Sequence, residues 1–124
     1  AFASPGRIIL ETSADFNDPR KPFFDSLKKQ LMQETDALGR SFELLELPEA
    51  TEECTIGEKF CLSYVNFYIA NGGVIAPSYG IKTDGEVKER LQSYFPDRKI
   101  VMVPISPIAE GGGGIHCITQ QQPS

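Results

Sequence analysis

Two parts of the chain repeat one order of predicted elements, and this repetition constrains the fold more than any other feature of the sequence. The first part predicts a strand, a helix and a strand, at about residues 7–12, 18–39 and 42–47. The second part predicts two strands, a helix and a strand, at about residues 60–70, 73–76, 83–95 and 99–105. Similar units in tandem are typical of an internal repeat. From the pattern alone we expect an α/β protein made of two related units.

The first helix is predicted from its apolar spacing and from its ends. The residues that recur on one helix face are Phe23, Phe24, Leu27 and Leu31. Asp18 stands where an N-cap is expected, and Pro19 then occupies the first helical position. Gly39 is typical of the residue that ends a helix. After the following strand, the acidic segment 48–57 lacks periodicity and is predicted to be a loop.

The second unit is predicted to open with a β-hairpin. Asn71-Gly72 is the strongest short hairpin signal, and it lies between the two predicted strands. Thr83 and Glu86 have the spacing of a capping box. The apolar residues that follow on one helix face are Val87, Leu91 and Phe95. Residues 99–105 form a mostly apolar run, which predicts a strand buried on both faces.

A run of four glycines, residues 111–114, precedes a short β-favouring segment, residues 115–119, that carries Cys117. Glycines lack a β-carbon, so a ligand can approach the backbone closely and a positive φ costs little. A loop of this kind is suited to presenting a nucleophilic thiol to a ligand. The alternative is a glycine linker before a buried cysteine, which is an equally common arrangement on physical grounds.

Length, charge and cysteine content restrict the class of protein. The 124 residues allow one domain with a modest core. The net charge of −5 argues against nucleic acid or an anionic membrane as the main partner. No apolar run approaches the roughly 18 residues that a spanning helix needs. Three cysteines do not make a disulfide framework, so a cytoplasmic location is expected.

Three segments resemble the agmatine deiminases and the related bacterial-type peptidylarginine deiminases, in the order and spacing of that family. They are SYVNFYIANGGVIAP at residues 63–77, FPDRKIV at residues 95–101 and GGGGIHCITQQQP at residues 111–123. The resemblance implies the pentein fold, an α/β-propeller of five ββαβ blades around a central channel. The chain would hold the two C-terminal blades, the fourth over about 1–50 and the fifth over about 58–124, with the first strand of the fourth blade missing or trimmed.

The resemblance also implies the chemistry. Cys117 would be the nucleophile that attacks a guanidinium carbon, most simply in the hydrolysis of agmatine to N-carbamoylputrescine and ammonia, a step of putrescine synthesis. No cofactor is implied, and the partner is a small guanidine substrate. The family's catalytic histidine and its guanidinium-binding carboxylates would lie upstream, in an N-terminal part of the same enzyme. Association with further copies of the chain stays open, as do peptidyl-arginine as the substrate and a non-catalytic pentein-like module that binds a partner.

Other residues near the glycines allow both functional and structural interpretations. The backbone of Gly112, Gly113 and Gly114 would contact substrate or let the chain bend. The Asn66 amide would bond a loop near the site or satisfy backbone at a strand end. On a strand, His116 would point away from the face that Cys117 uses, which argues against it as the general base.

Two further kinds of site are disfavoured by spacing. The residue types that zinc uses are present at Cys54, Cys61, His116 and Cys117, but their spacing fits no usual metal motif. The glycine run lacks the Lys-Ser/Thr pair that completes a phosphate-binding loop. The sequence therefore predicts neither a metal site nor a nucleotide site.

Overall fold

A computed structural model describes residues 1–13, 15–50 and 61–122. The chain divides into two compact units, Ala1–Glu49 and Ala50–Ser124. Phe60, Cys54 and most of the loop predicted over 48–57 lie outside the described residues. Among the residues that are described, no helix is both long enough and apolar enough to cross a membrane.

The first unit contains three strands and one helix, namely β1 (Phe2–Ser4), β2 (Arg7–Thr12), α1 (Lys21–Gln33) and β3 (Glu43–Pro48). The sheet order is β1-β2-β3, with β1 antiparallel and β3 parallel to β2. The buried apolar side chains of this sheet are Ile8, Ile9, Leu45 and Leu47. The predicted order of strand, helix and strand is confirmed. Of the two expectations for the first strand, missing or trimmed, the first is wrong, because the three-residue β1 is present and pairs with β2.

Helix α1 begins later and ends earlier than the sequence predicts. Arg20 is the N-cap residue, and Asp18 instead accepts the backbone N–H of Arg20 and pairs with its guanidinium group. The helix ends at Gln33, and Gly39 lies in the following turn with φ of 76°. Asp18 therefore organises the turn that enters the helix. It does not cap the helix itself.

The second unit contains strands β4 (Tyr68–Ala70), β5 (Gly73–Ser78) and β6 (Lys99–Pro104), helices α2 (Thr83–Tyr94) and α3 (Ser106–Ala109), and a 3₁₀ helix (His116–Ile118). The sheet order is β4-β5-β6, with β4 antiparallel and β6 parallel to β5. The hairpin turn at Asn71-Gly72 is confirmed, and Gly72 has a φ of 76°. Val87 and Leu91 of α2 are fully buried, as their spacing predicts.

Three details of the second unit differ from the sequence prediction. The strand expected over 60–70 is reduced to β4, because Tyr64 and Phe67 are buried as side chains in an irregular segment. Strand β6, at the edge of the sheet, is not buried on both faces, since the side chain of Val101 is 41% exposed. No side-chain cap forms on α2 at Lys82, and Thr83 lies inside the helix.

The largest correction concerns residues 115–119, where a strand is predicted but His116–Ile118 form a 3₁₀ helix. The backbone N–H of Ile118 donates to the carbonyl of Ile115, and that of Thr119 donates to the carbonyl of His116. These local bonds take the place of pairing with a neighbouring strand. The thiol of Cys117 is therefore presented by a tight turn of helix.

Candidate active site

Cys117 lies on the 3₁₀ helix at the end of the glycine run, and its side chain is exposed. The run begins as a turn after α3, in which the N–H of Gly111 donates to Ile108 and that of Gly112 donates to Ala109. Gly112 has a φ of 84°, in the left-handed region that favours glycine. The glycine run ends at Gly114, which is buried together with the following Ile115. The backbone is thus buried at Gly114 and Ile115, and the side chain of Cys117 is exposed again.

Asn66 is the residue that contacts the thiol most directly. Its side-chain Nδ2 lies 3.2 Å from the Sγ atom of Cys117. Its Oδ1 accepts the backbone N–H of His116 at 2.8 Å, and its backbone carbonyl accepts the same N–H at 3.2 Å. One residue therefore bonds both the sulfur and the turn that carries it, across a separation of about 50 residues in sequence.

The irregular segment that carries Asn66 is held by buried tyrosines. The hydroxyl of Tyr79 accepts the backbone N–H of Ser63 at 2.9 Å and lies 3.2 Å from the carbonyls of Cys61 and Ser63. The rings of Tyr64 and Tyr79 meet edge to face, with centroids 5.3 Å apart. Satisfied hydroxyls and an aromatic contact give this segment a fixed shape without strand pairing.

The carboxylate of Asp84, in the first turn of α2, secures both tyrosines. It accepts the hydroxyl of Tyr64 at 2.7 Å and the backbone N–H groups of Tyr79, Gly80 and Ile81 at 2.8 to 3.2 Å. Asp84 was not among the residues predicted from the sequence. An acidic residue in the first turn of a predicted helix indicates a stabilising role at the helix N-terminus, but no local pattern indicates that its partner is Tyr64.

Gly114 has no room for a side chain. A β-carbon at this position would lie 2.5 Å from Cγ and 2.7 Å from Oδ1 of Asn66. At Gly113 the nearest atom would be Cβ of Cys117 at 3.5 Å, which is an ordinary contact. Of these two glycines, Gly114 is the one whose missing side chain lets the Asn66 amide reach the turn.

The hydrogen bonds around Cys117 lower the pKa of its thiol below the ordinary value. The largest cause is the bond from the Asn66 side chain, followed by a backbone bond involving Gly114, and desolvation by the neighbouring protein opposes both. Hydrogen-bond donors stabilise the thiolate and so increase its fraction at neutral pH. An exposed thiol with stabilised thiolate character is suited to nucleophilic attack on carbon.

His116 and Cys117 lie on a 3₁₀ helix and not on a strand, so the prediction that their side chains point to opposite faces is wrong. With about three residues per turn, neighbouring side chains are roughly 120° apart and not opposed. The part of His116 that the structure ties to the site is its backbone N–H.

Cys61 also lies near Asn66, with its Sγ 4.0 Å from Nδ2 of the same amide. Among the described residues, which exclude Cys54, no three metal-binding side chains form a cluster.

Comparisons with known proteins identify close relatives of the whole chain. The family model described as Porphyromonas-type peptidyl-arginine deiminase matches residues 1–123. The agmatine deiminase of Ectopseudomonas mendocina is 36% identical over 99% of this chain and 38% of its own length. The Pseudomonas fluorescens Pf-5 agmatine deiminase gives the same values. The chain therefore spans about two fifths of these curated relatives.

Solved structures of agmatine deiminases are also similar to this chain. The agmatine deiminase of Enterococcus faecalis superposes with a TM-score of 0.85 at 34% identity, over 98% of this chain and 38% of that one. The C. jejuni agmatine deiminase gives a TM-score of 0.71 at 28% identity, over 90% of this chain and 33% of that one. These similarities establish a mixed α/β fold of the kind found in agmatine deiminases.

Proposed function

The chain belongs to the Porphyromonas-type peptidyl-arginine deiminase family, and from this membership we propose that it carries the nucleophile of a hydrolase acting on guanidinium groups. The observation that carries the proposal is the exposed Cys117 thiol, whose pKa is lowered by the Asn66 amide. A thiolate is the reactive form of cysteine, so this arrangement favours attack on an electrophilic carbon.

The reaction proceeds in two halves. In the first, the Cys117 sulfur forms a bond to the guanidinium carbon, and a terminal C–N bond breaks as ammonia leaves with the proton that neutralises it. The product is an amidino group attached to sulfur. In the second half, water adds to the same carbon, the C–S bond breaks and the thiolate is regenerated. One water is consumed and one ammonia released, and the guanidine becomes a ureido group.

Proton transfer and substrate binding need groups beyond Cys117. The leaving nitrogen must be protonated and the attacking water deprotonated, work worth roughly 10²–10⁴-fold in rate. We assign the acid/base histidine and the carboxylates that bind the guanidinium group to an N-terminal part of the same enzyme, since the chain has one histidine and no Asp-Gly-His motif. Within this chain, the backbone of Gly112, Gly113 and Gly114 contacts the substrate.

Agmatine is the proposed substrate, and N-carbamoylputrescine the proposed product. The relatives from Ectopseudomonas mendocina and Enterococcus faecalis are agmatine deiminases, which supports a small guanidine over a peptide. The step belongs to putrescine synthesis, since a further hydrolysis that removes the carbamoyl group would give putrescine. We place it in the cytoplasm, as expected from the sequence. We further propose that residues 1–50 and 58–124 correspond to the fourth and fifth blades of a five-bladed pentein propeller. The ββαβ order of each unit supports this correspondence.

The test is ammonia release by the full-length polypeptide, with agmatine and a peptidyl-arginine substrate compared at equal concentrations. We expect agmatine to be hydrolysed faster. Cys117→Ser, which keeps the size of the side chain but replaces the thiolate, should lower kcat by about a thousandfold or more. Faster hydrolysis of the peptide would reassign the substrate. No release from either substrate would identify a non-catalytic binding module.

A further inference from the structure

The orientation of the Asn66 amide is fixed by its bonding partners. A backbone N–H can only donate, so the amide atom that lies 2.8 Å from the N–H of His116 must be the oxygen. The other end of the amide, the NH₂ group, then faces the Cys117 sulfur at 3.2 Å. The backbone N–H of His116 therefore determines which way the Asn66 amide points, whichever of the two amide positions is labelled oxygen or nitrogen.

An NH₂ group facing sulfur favours one protonation state. It has two donors and no acceptor, so it cannot accept a proton from a thiol. The amide oxygen, to which a neutral thiol can donate, lies farther from the sulfur, with Oδ1 3.7 Å from Sγ. A thiolate is a far better acceptor than a neutral thiol, and hydrogen bonding to the charged form favours that form. This contact therefore stabilises the ionised nucleophile without bringing a cation into the site.

The amide is also held in place from several sides. The turn is bound by the side-chain and backbone oxygens of Asn66, and the backbone at Gly114 lies so close that a β-carbon there would overlap the amide. The backbone N–H of Asn66 donates to the carbonyl of Ser63 at 3.3 Å, within the segment that Tyr79 secures. Because the NH₂ donor is already held in place, no free energy is spent on reorienting it when negative charge develops on the Cys117 sulfur.

Two other titratable side chains, those of Cys61 and His116, belong to this part of the described structure. The thiol of Cys61 lies 4.0 Å from the same NH₂ group, and His116 is the adjacent residue. The lowered pKa of Cys117 has hydrogen bonds as its causes, with that from Asn66 the largest, and no neighbouring charge among them.

We propose that Asn66 is a positioning residue for the nucleophile. Its amide oxygen fixes the turn that carries Cys117, and its amide N–H groups hold the Cys117 thiolate. The proposal deepens the function proposed above and rests on Cys117 being the nucleophile. It gives the two halves of one side chain separate tasks, which can be tested separately.

The decisive variant is Asn66→Asp. It keeps an oxygen to accept the N–H of His116 but replaces the donor beside sulfur with a second, anionic oxygen. The matched control is Asn71→Asp, the same chemical change at the exposed hairpin turn. Asn66→Ala removes the donor without adding a charge, so it separates loss of the donor from repulsion.

The measurement is the rate of Cys117 alkylation by iodoacetamide as a function of pH, followed by mass spectrometry of the Cys117 peptide in the full-length polypeptide. We expect the apparent pKa of Cys117 to rise by about one unit or more in Asn66→Asp, which lowers alkylation about tenfold below that pKa. Asn66→Ala should raise it by less, and Asn71→Asp should leave it unchanged. Thermal melting of each variant shows whether it is folded.

A purely structural role for Asn66 predicts a different result. In that case Asn66→Asp would keep the wild-type pKa of Cys117, which would overturn the proposal. If Asn66→Asp fails to fold, Asn66→Ala decides, and an unchanged pKa in that variant has the same meaning. Alkylation needs no substrate, so the result is readable even if the wild-type protein hydrolyses neither guanidine. Failure of the proposed activity and failure of this inference are thus distinguishable.

Discussion

At the scale of single residues, the chemistry of Cys117 depends on hydrogen-bond donors and on close backbone approach. The donor is the amide of Asn66, and the approach is permitted by Gly114. Hydrogen bonds of this kind act over a short range, so small displacements of the turn change the reactivity of the thiol more than changes in ionic strength do.

Cys117 should be the most reactive thiol of the protein. Thiolate character controls the rate of alkylation, and the pKa of Cys117 is lowered. Labelling the full-length polypeptide with a haloacetamidine, which resembles the guanidinium group, followed by peptide mapping, should find the adduct at Cys117. The preference should disappear in denaturant. An adduct that forms first at Cys54 or Cys61 would contradict the assignment of the nucleophile.

Adjacent glycines should differ in their tolerance of a methyl group. Gly114→Ala places a β-carbon within 3 Å of three Asn66 atoms, and overpacking of this kind costs about 1–3 kcal/mol. Since the amide or the turn must move, alkylation of Cys117 should slow at least about tenfold. Gly113→Ala meets only ordinary contacts and should stay within about threefold of wild type. Equal alkylation rates in the two variants would show that the close approach does not position the thiol.

At the scale of elements, the first turn of α2 supports the site from a distance. Asp84 accepts hydrogen bonds from the turn after β5 and from Tyr64, and these contacts fix the segment that carries Asn66. A helix N-terminus favours a carboxylate, so the helix dipole adds to these bonds. The site therefore depends on a residue that has no contact with the thiol.

Asp84→Asn should destabilise the protein and slow Cys117 alkylation together. Both carboxylate oxygens accept hydrogen bonds, so an amide NH₂ at either position would face a donor, at a cost of about 2–4 kcal/mol. The matched control is Glu86→Gln in the same turn, which also removes a charge near the helix N-terminus, together with an exposed ion pair to Arg90, but leaves the Asp84 hydrogen bonds intact. Thermal melting should show a lower Tm for Asp84→Asn than for Glu86→Gln. Matching Tm values for the two variants would mean that the Asp84 bonds contribute little.

The elements that could be predicted from the sequence are those set by local pattern. Strands β2 and β5, the Asn71-Gly72 hairpin and the apolar face of α2 follow from periodicity and turn chemistry, and all are confirmed. The segments before β4 and after α3 could not be predicted. Their shape depends on Tyr79 and Asn66, partners distant in sequence, and such tertiary contacts override β propensity.

The candidate site was predictable only in part for the same reason. The position of Cys117 after four glycines identifies a candidate thiol, and the resemblance of its segment to a family strengthens it. Neither indicates that Asn66 contacts the sulfur, or that Asp84 holds the segment around Asn66. Those relations join residues 20 to 51 positions apart, so no local pattern contains them.

At the scale of the whole molecule, the two units bury their apolar residues unevenly. The second unit buries side chains from α2 and its sheet, whereas no residue of α1 in the first unit is buried. Phe23 and Met32 of α1 are 66% and 67% exposed. A helix needs an apolar partner for most of its stability. This exposure is consistent with the proposal that the chain functions together with further sequence of the same enzyme.

The 124 residues alone should not release ammonia from agmatine at an enzymatic rate. The proposed nucleophile and its positioning amide lie in this chain, but reaction also needs an acid/base and groups that orient the guanidinium ion. Orientation accounts for a large share of the barrier reduction, and a placed acid/base for roughly 10²–10⁴-fold more. Among the described residues, the hydrogen-bonding partners of the Cys117 sulfur are neutral.

The test compares ammonia release by the isolated chain, its Cys117→Ala variant and the full-length polypeptide under the same conditions. We expect the isolated chain to match the Cys117→Ala variant, since a thiolate without an acid/base and without carboxylates to bind the guanidinium cannot complete either half of the reaction. Alkylation of Cys117 in the isolated chain checks that the second unit is folded. Turnover near the full-length rate, abolished by Cys117→Ala, would show that the missing groups lie within these residues and that His116 is the first candidate for the acid/base.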